Sequence, residues 1–95
     1  MGGKLTQSMS SQTVLRRLKK LVKQGAWLMS EHAFDRAEER GGLHVIHVEN
    51  ALLEAYTAER QQHGTYVVEG PDLNGFELRL IVEIQDHVLV VTVLG

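Results

Sequence analysis

The chain has no cysteine and only one proline in 95 residues. Without thiols it can build neither a disulfide framework nor a thiolate metal site. That absence suits a reducing compartment, and a cytoplasmic location is expected. Aromatic residues are scarce and scattered: Trp27, Phe34, Tyr56, Tyr66 and Phe76 are all there are. They are too few for the stacking platform on which single-strand-binding proteins hold bases. Long apolar runs are missing too. The longest, HVLVVTVLG at the C-terminus, is far short of the roughly 20 residues a membrane helix needs, and the first residues form no signal-peptide apolar region. Neither a membrane role nor a secretory one is expected. There is no phosphate-binding glycine loop, no G-x-S-x-G elbow, no internal repeat and no low-complexity tract.

Net charge is also small, at −2 from ten basic and twelve acidic residues, which gives no bulk argument for nucleic acid. The distribution says more. Residues 1–24 hold Lys4, Arg16, Arg17, Lys19, Lys20 and Lys23 and no acid, for a charge of +6. The rest of the chain holds all twelve acids and only Arg36, Arg40, Arg60 and Arg79, for −8. Every basic residue after position 24 is thus an arginine, whose planar fork suits bidentate contact with phosphate or carboxylate. The basic segment reads either as a solvated helix face offsetting an acidic body or as an arm that contacts a polyanion, with Lys19 and Lys20 as contacts.

A length of 95 residues suits one core. Residues 1–10 are small and polar and are expected to be disordered, residues 11–25 to form a basic helix, and residues 26–95 a single α+β domain. In SQTVLRRLKKLVKQG, Val14, Leu15, Leu18, Leu21 and Val22 recur at helical spacing, with Ser10 or Ser11 as the cap and Gly25 as the stop. AWLM is expected to be an extended link with Trp27 and Leu28 in the core, and Ser30 to cap a second helix ended by Gly41 and Gly42. HVIHVENALLEAYTAE reads as a third helix with Val45, Val48, Leu52 and Tyr56 on one side, poorly capped by His44.

The period then changes from about 3.6 to 2. TYVVEG, FELRLIVEIQ and HVLVVTVLG read as strands of a small antiparallel meander with the helices packed on one of its faces. A two-residue turn at Gln85 and Asp86 would set Arg79 opposite Thr92 and Ile81 opposite Val90, grouping polar with polar. A three-residue loop would move Thr92 to the apolar face.

The second helix carries the most suggestive stripe. His32, Arg36 and Arg40 recur at i, i+4 with no acid among them. On a wheel of about 100° per residue counted from Glu31, the acids fill about 340° to 80°, and Ala33, Ala37 and Phe34 fill about 200° to 300°. The stripe lies on the boundary between them. Arginines half in water there can grip an anion, and the positive end of the helix dipole beside Arg36 disfavours a second proton on His32, leaving it able to accept one. One histidine and two guanidinium groups suit phosphodiester chemistry. The structural alternative stays open: Arg36 paired with Glu39, Arg40 on terminal carbonyls, His32 a boundary residue. His44 and His47 form an H-x-x-H without further ligands, so no metal is expected. His63 and His87 read as loop residues, either of which could be a second proton handler.

These residues carry a resemblance. Ser30, His32, Ala33, Arg36, Arg40 and Gly41, followed late in the chain by Val91, Thr92 and Val93, resemble the Ser-x-His-Ala-x-x-Arg-x-x-x-Arg-Gly and Val-Thr-Val elements of a family of small, mostly bacterial domains of unknown function. That family is similar to the RelE-like and EndoU-like group of metal-independent ribonuclease toxins. The resemblance implies a RelE-like α+β fold that cleaves RNA by attack of its own 2′-hydroxyl. His32 would be the acid/base, Arg36 and Arg40 would bind phosphate, and Thr92 would hold the scissile phosphate or a neighbouring group. It implies no cofactor, and RNA and a cognate antitoxin protein as partners. Arg79 is added as a substrate contact from the strand pairing alone. The chain departs from the family in Gly42, Leu43 and His44 after Gly41. A non-catalytic protein- or nucleic-acid-binding module, a degenerate toxin fold, is the alternative.

Overall fold

Val14, Leu18 and Val22 follow one another at four-residue intervals and are at most 4% exposed, so α1 (Ser11–Lys23) contributes an apolar stripe to the core. The chain that follows forms β1 (Trp27–Met29), α2 (Glu31–Glu39), α3 (Val45–Leu53), β2 (Thr57–Arg60), a single 3-10 turn (Gln62–Gly64), β3 (Thr65–Pro71), β4 (Glu77–Ile84) and β5 (Val88–Leu94). This computed structural model describes residues 11–42 and 44–94; the disorder expected of residues 1–10 falls outside them. The class is α+β. One five-stranded sheet in the order β1-β5-β4-β3-β2 carries the three described helices on one face.

Alternation decides which face that is. Leu78, Leu80 and Val82 on β4, Val68 on β3 and Val88, Val90 and Val93 on β5 share one core with Ala33, Ala37, Val48, Ala51 and Leu52 of the helices. The other face presents Glu77, Arg79, Ile81 and Glu83 from β4. Gly70 of β3 sits directly under α3. A Cβ there would overlap the Ala51 carbonyl oxygen and stand 3.0 Å from Ala55 Cα, so only glycine permits this approach.

The sheet departs from the expected meander at both edges. AWLM is not a link: Trp27, Leu28 and Met29 pair in parallel with Val88, Leu89 and Val90, which makes the sheet mixed. Trp27 packs against the core, but Leu28 is 60% exposed on the opposite face, the one no described helix covers. The third helix stops at Leu53, and Thr57–Arg60 is an edge strand antiparallel to β3. Tyr56 therefore lies beyond the helix, and it is 51% exposed. The small apolar residues Ala51, Ala55 and Ala58 keep a helical interval, yet the ladder to β3 decides the conformation of the last of them.

The β4–β5 hairpin also differs. Its loop has three residues, Gln85, Asp86 and His87, because Ile84 pairs with Val88. The Gln85 N–H donates to the His87 carbonyl, and Arg17 of α1 donates to the Gln85 carbonyl. Val82 then pairs with Val90 but Ile81 with Thr92, leaving Val91 as an extra residue in a β-bulge. The bulge undoes what the longer loop would do. Thr92 returns to the uncovered face, opposite Ile81, and Arg79 faces Leu94.

Candidate functional site along α2 and the last strand

Ser30 has the extended backbone of an N-cap, and its Oγ accepts the Ala33 N–H at 3.0 Å, closing the first turn of α2. The same hydroxyl donates to the carbonyl of Val91, the bulged residue, at 2.8 Å. The Ser30 N–H donates to Val90 O at 2.9 Å, so the helix begins where β1 stops pairing with β5. Beyond that point α2 takes the place of β1 beside β5. Ala33 and Ala37, 0% and 2% exposed, keep the two elements close. Arg36 lies one turn past His32 and donates from Nε to Val93 O at 3.4 Å, a long bond. Its Nη1 meets Glu39 Oε1 at 3.2 Å with both side chains substantially exposed, a pair worth about 0–1 kcal/mol. The early and late sequence elements thus meet: Ser30 and Arg36 hold the carbonyls of Val91 and Val93, and Thr92 lies between them.

His32 and Arg40 occupy the same row one turn to either side of Arg36. Both are exposed, and neither side chain enters a hydrogen bond or ion pair among the described residues. Arg40 is the C-cap, its backbone N–H donating to Ala37 O at 3.1 Å, and Gly41 and Gly42, whose N–H groups donate to Glu38 O at 3.1 and 3.2 Å, follow at φ 87° and 76°. Phe34 was expected on the core side but is 47% exposed. With α2 packed on the margin of the sheet, its buried sector narrows to the two alanines.

Thr92 is partly buried on the uncovered face. Arg79 is its diagonal neighbour there, within reach of a long side chain, but it is turned the other way. Arg79 Nε lies 3.1 Å from Glu69 Oε2 on β3, and Thr57 Oγ1 donates to Glu69 Oε1 at 3.0 Å. Lys19 and Lys20 sit on α1, apart from the α2 row. The structure therefore sets His32, Arg36 and Arg40 in one row on α2, with Arg36 bonded to the strand of Thr92; Thr92 itself faces away from the helices, beside an Arg79 that is paired with Glu69, and Lys19 and Lys20 lie on α1.

The Thr57–Glu69–Arg79 cluster escaped the sequence because Thr57 reads as helix until β2 is known. It lines a cleft of about 530 Å³ together with Ser11, Glu59 and Arg60, and a second cleft of about 670 Å³ lies beside His63. Of the candidate residues, Arg79 lines the first cleft and His63 the second; His32, Arg36, Arg40 and Thr92 line neither. Nearby, the Tyr56 phenol is pushed above its usual range by desolvation, then by the charge of Glu77, a hydrogen bond to it, and the charge of Glu69.

The remaining histidines have local settings. His47 Nδ1 accepts the Leu73 N–H at 3.1 Å, and its ring stacks on His44 with centroids 6.5 Å apart. His63 adopts φ 63° in the 3-10 turn. His87 Nδ1 lies 2.9 Å from Asp86 Oδ1. That hydrogen bond, with a further one from the Asp86 backbone and the charge of His87, holds the Asp86 carboxyl below its usual range. Among the described residues no group of three or more histidines or carboxylates could hold a metal ion, and no helix is long and apolar enough to cross a membrane.

Residues 29–94 match the model of a family described as a domain of unknown function (DUF4258), and the chain belongs to that family. No curated protein and no solved structure matches it. The matched segment runs from the end of β1 to the end of β5 and so contains the whole α2–β5 joint. It leaves out α1, although Leu18 of that helix is fully buried in the common core.

Proposed function

We propose that the margin formed by α2 and the second half of β5 binds an RNA phosphate, and that the protein is a RelE-like, metal-independent endoribonuclease of toxin type. The carrying observation is an accounting of the early sequence element. Ser30, Ala33 and Arg36 are engaged by the fold through a cap, a close packing contact and an edge hydrogen bond, and Gly41 by a left-handed helix stop. His32 and Arg40 have no such engagement, stand in the open and share a row with Arg36. Groups aligned at the surface without a structural partner are available for a ligand, and their chemistry fits a phosphodiester.

In this reading His32 takes the proton of the RNA 2′-hydroxyl as its oxygen bonds to phosphorus. Arg40 and the exposed end of Arg36 stabilise the charge on the non-bridging oxygens, and the Thr92 hydroxyl positions the phosphate. The bond to the 5′-oxygen breaks as that oxygen takes a proton from water, and a 2′,3′-cyclic phosphate remains. A bacterial cytoplasmic setting and a cognate antitoxin protein belong to the same reading.

The test is incubation of purified protein with RNA in EDTA, with end-group analysis. Cyclic phosphate ends are expected, and His32→Ala should slow cleavage about 10²- to 10⁴-fold. RNA left intact at high enzyme concentration would overturn the proposal. A second reading, a non-catalytic binding module, is favoured by one observation: Arg36 is already shared between Val93 and Glu39. It predicts RNA or protein binding without cleavage.

A further inference from the structure

We infer that the outward face of α1 is a docking surface for the phosphodiester backbone of a nucleic-acid strand, separate from the α2 margin and not dependent on cleavage. The apolar side of α1 is used up by the core through Val14, Leu18 and Val22. Its opposite side presents Arg16, Lys20 and Lys23 exposed and Lys19 partly so, at intervals of three and four residues. None of these four enters a hydrogen bond or ion pair among the described residues, whereas Arg36 and Arg79 each have a glutamate and Arg17 has the Gln85 carbonyl.

Such a row repels itself. The chain has twelve acids to place against it and places none on this helix. The helix dipole accounts for Lys20 and Lys23 in the last turn, but not for Arg16 and Lys19.

The occupant follows from what the face lacks. An amphipathic helix that binds lipid inserts its apolar side, and here that side is buried in protein. What remains is a stripe of cations along a helix about 20 Å long, with neighbouring Cβ atoms about 5–6 Å apart. This is a repeating array that suits a repeating anion. Residues 25–95 carry −8 and repel a polyanion, so α1 is where one would settle. No aromatic residue lies on the helix to stack a base, so binding would follow charge and not sequence.

The test is fluorescence anisotropy of the full chain with a labelled 20-nucleotide RNA, the same DNA strand and their duplexes, from 50 to 200 mM salt. Four phosphate contacts on a single strand predict an affinity loss of about 50-fold across that range. The K19Q/K20Q/K23Q variant should bind more weakly at low salt and lose only about 3-fold. The DNA and duplex arms identify which backbone is preferred. Equal binding by wild type and variant overturns the inference. So does variant-sensitive binding to phosphatidylserine vesicles in place of nucleic acid, or a salt-sensitive dimer that binds no nucleic acid. RNA bound through α1 but left uncut sinks the nuclease reading alone; RNA cut equally well by the triple variant, at unchanged affinity, sinks this inference alone.

Discussion

Two alanine substitutions, two residues apart, should have opposite consequences. Ser30→Ala removes one hydroxyl and two bonds: the cap to the Ala33 N–H at 3.0 Å and the bond to Val91 O at 2.8 Å. Loss of a serine N-cap costs about 1 kcal/mol, and a net intramolecular hydrogen bond contributes about 0.5–1.5 kcal/mol. The sum is about 1.5–2.5 kcal/mol. For a domain of this size each kcal/mol lowers the melting temperature by about 4–8 °C, so Ser30→Ala should melt some 6–20 °C below wild type by the same scaling. His32→Ala removes an exposed ring with no hydrogen bond or ion pair among the described residues, and should stay within about 0.5 kcal/mol. Thermal and guanidinium unfolding followed by circular dichroism would measure both. If His32→Ala proved as damaging as Ser30→Ala, the histidine would have a structural task and the accounting behind the proposed site would fail. A Ser30→Ala protein as stable as wild type would show that the α2–β5 joint is not held by this hydroxyl.

Gly70→Ala drives a methyl group into the Ala51 carbonyl and must lift α3 from β3; a loss of about 1–3 kcal/mol, the range for overpacking, should appear as a lower guanidinium midpoint, and an unchanged midpoint would contradict the close approach. Tyr56 should titrate above the usual phenol value of about 10 in a Tyr66→Phe background followed by ultraviolet absorbance, and Glu77→Gln should bring it down. Because the folded value is raised, the stabilisation from the neutral phenol is complete below the unfolded value and is lost as pH rises through the folded one. A Tyr56 titration insensitive to Glu77 would refute that pairing.

Strong local signals carried much of the architecture. The 3.6-residue period of α1 and its glycine stop are realised in full: Ala26 N donates to Leu21 O and Gly25 N to Val22 O, both at 2.9 Å, around Gly25 at φ 78°. Ser30 caps α2, and β4 alternates buried Leu78, Leu80 and Val82 with more exposed Glu77 and Arg79. What was not legible depends on partners far along the chain. Three residues of β1 are too few to show a period, and they become a strand only because Val88–Val90 pairs with them. Thr57–Arg60 follows a run whose small residues suit a helix, and pairing with β3 overrides them. The bulge at Val91 leaves no mark in a run of valines, yet it sets the face of every residue after it.

The candidate site shows the same division. The wheel places His32, Arg36 and Arg40 in one row, and the Arg36–Glu39 pair follows from their spacing. The bonds from Ser30 and Arg36 to β5 do not, since they join residues 61 and 57 positions apart. Those bonds change how the early sequence element should be understood. Read as a string, it offers Ser30 as a helix cap and His32, Arg36 and Arg40 as catalytic candidates; in the fold, Ser30 and Arg36 also act as clamps on the final strand. Ser30 holds the carbonyl of the very residue whose bulge turns Thr92 to the uncovered face. The threonine is therefore positioned by the serine through Val91, and any chemistry at this margin requires that joint to be intact before His32 and Arg40 can matter.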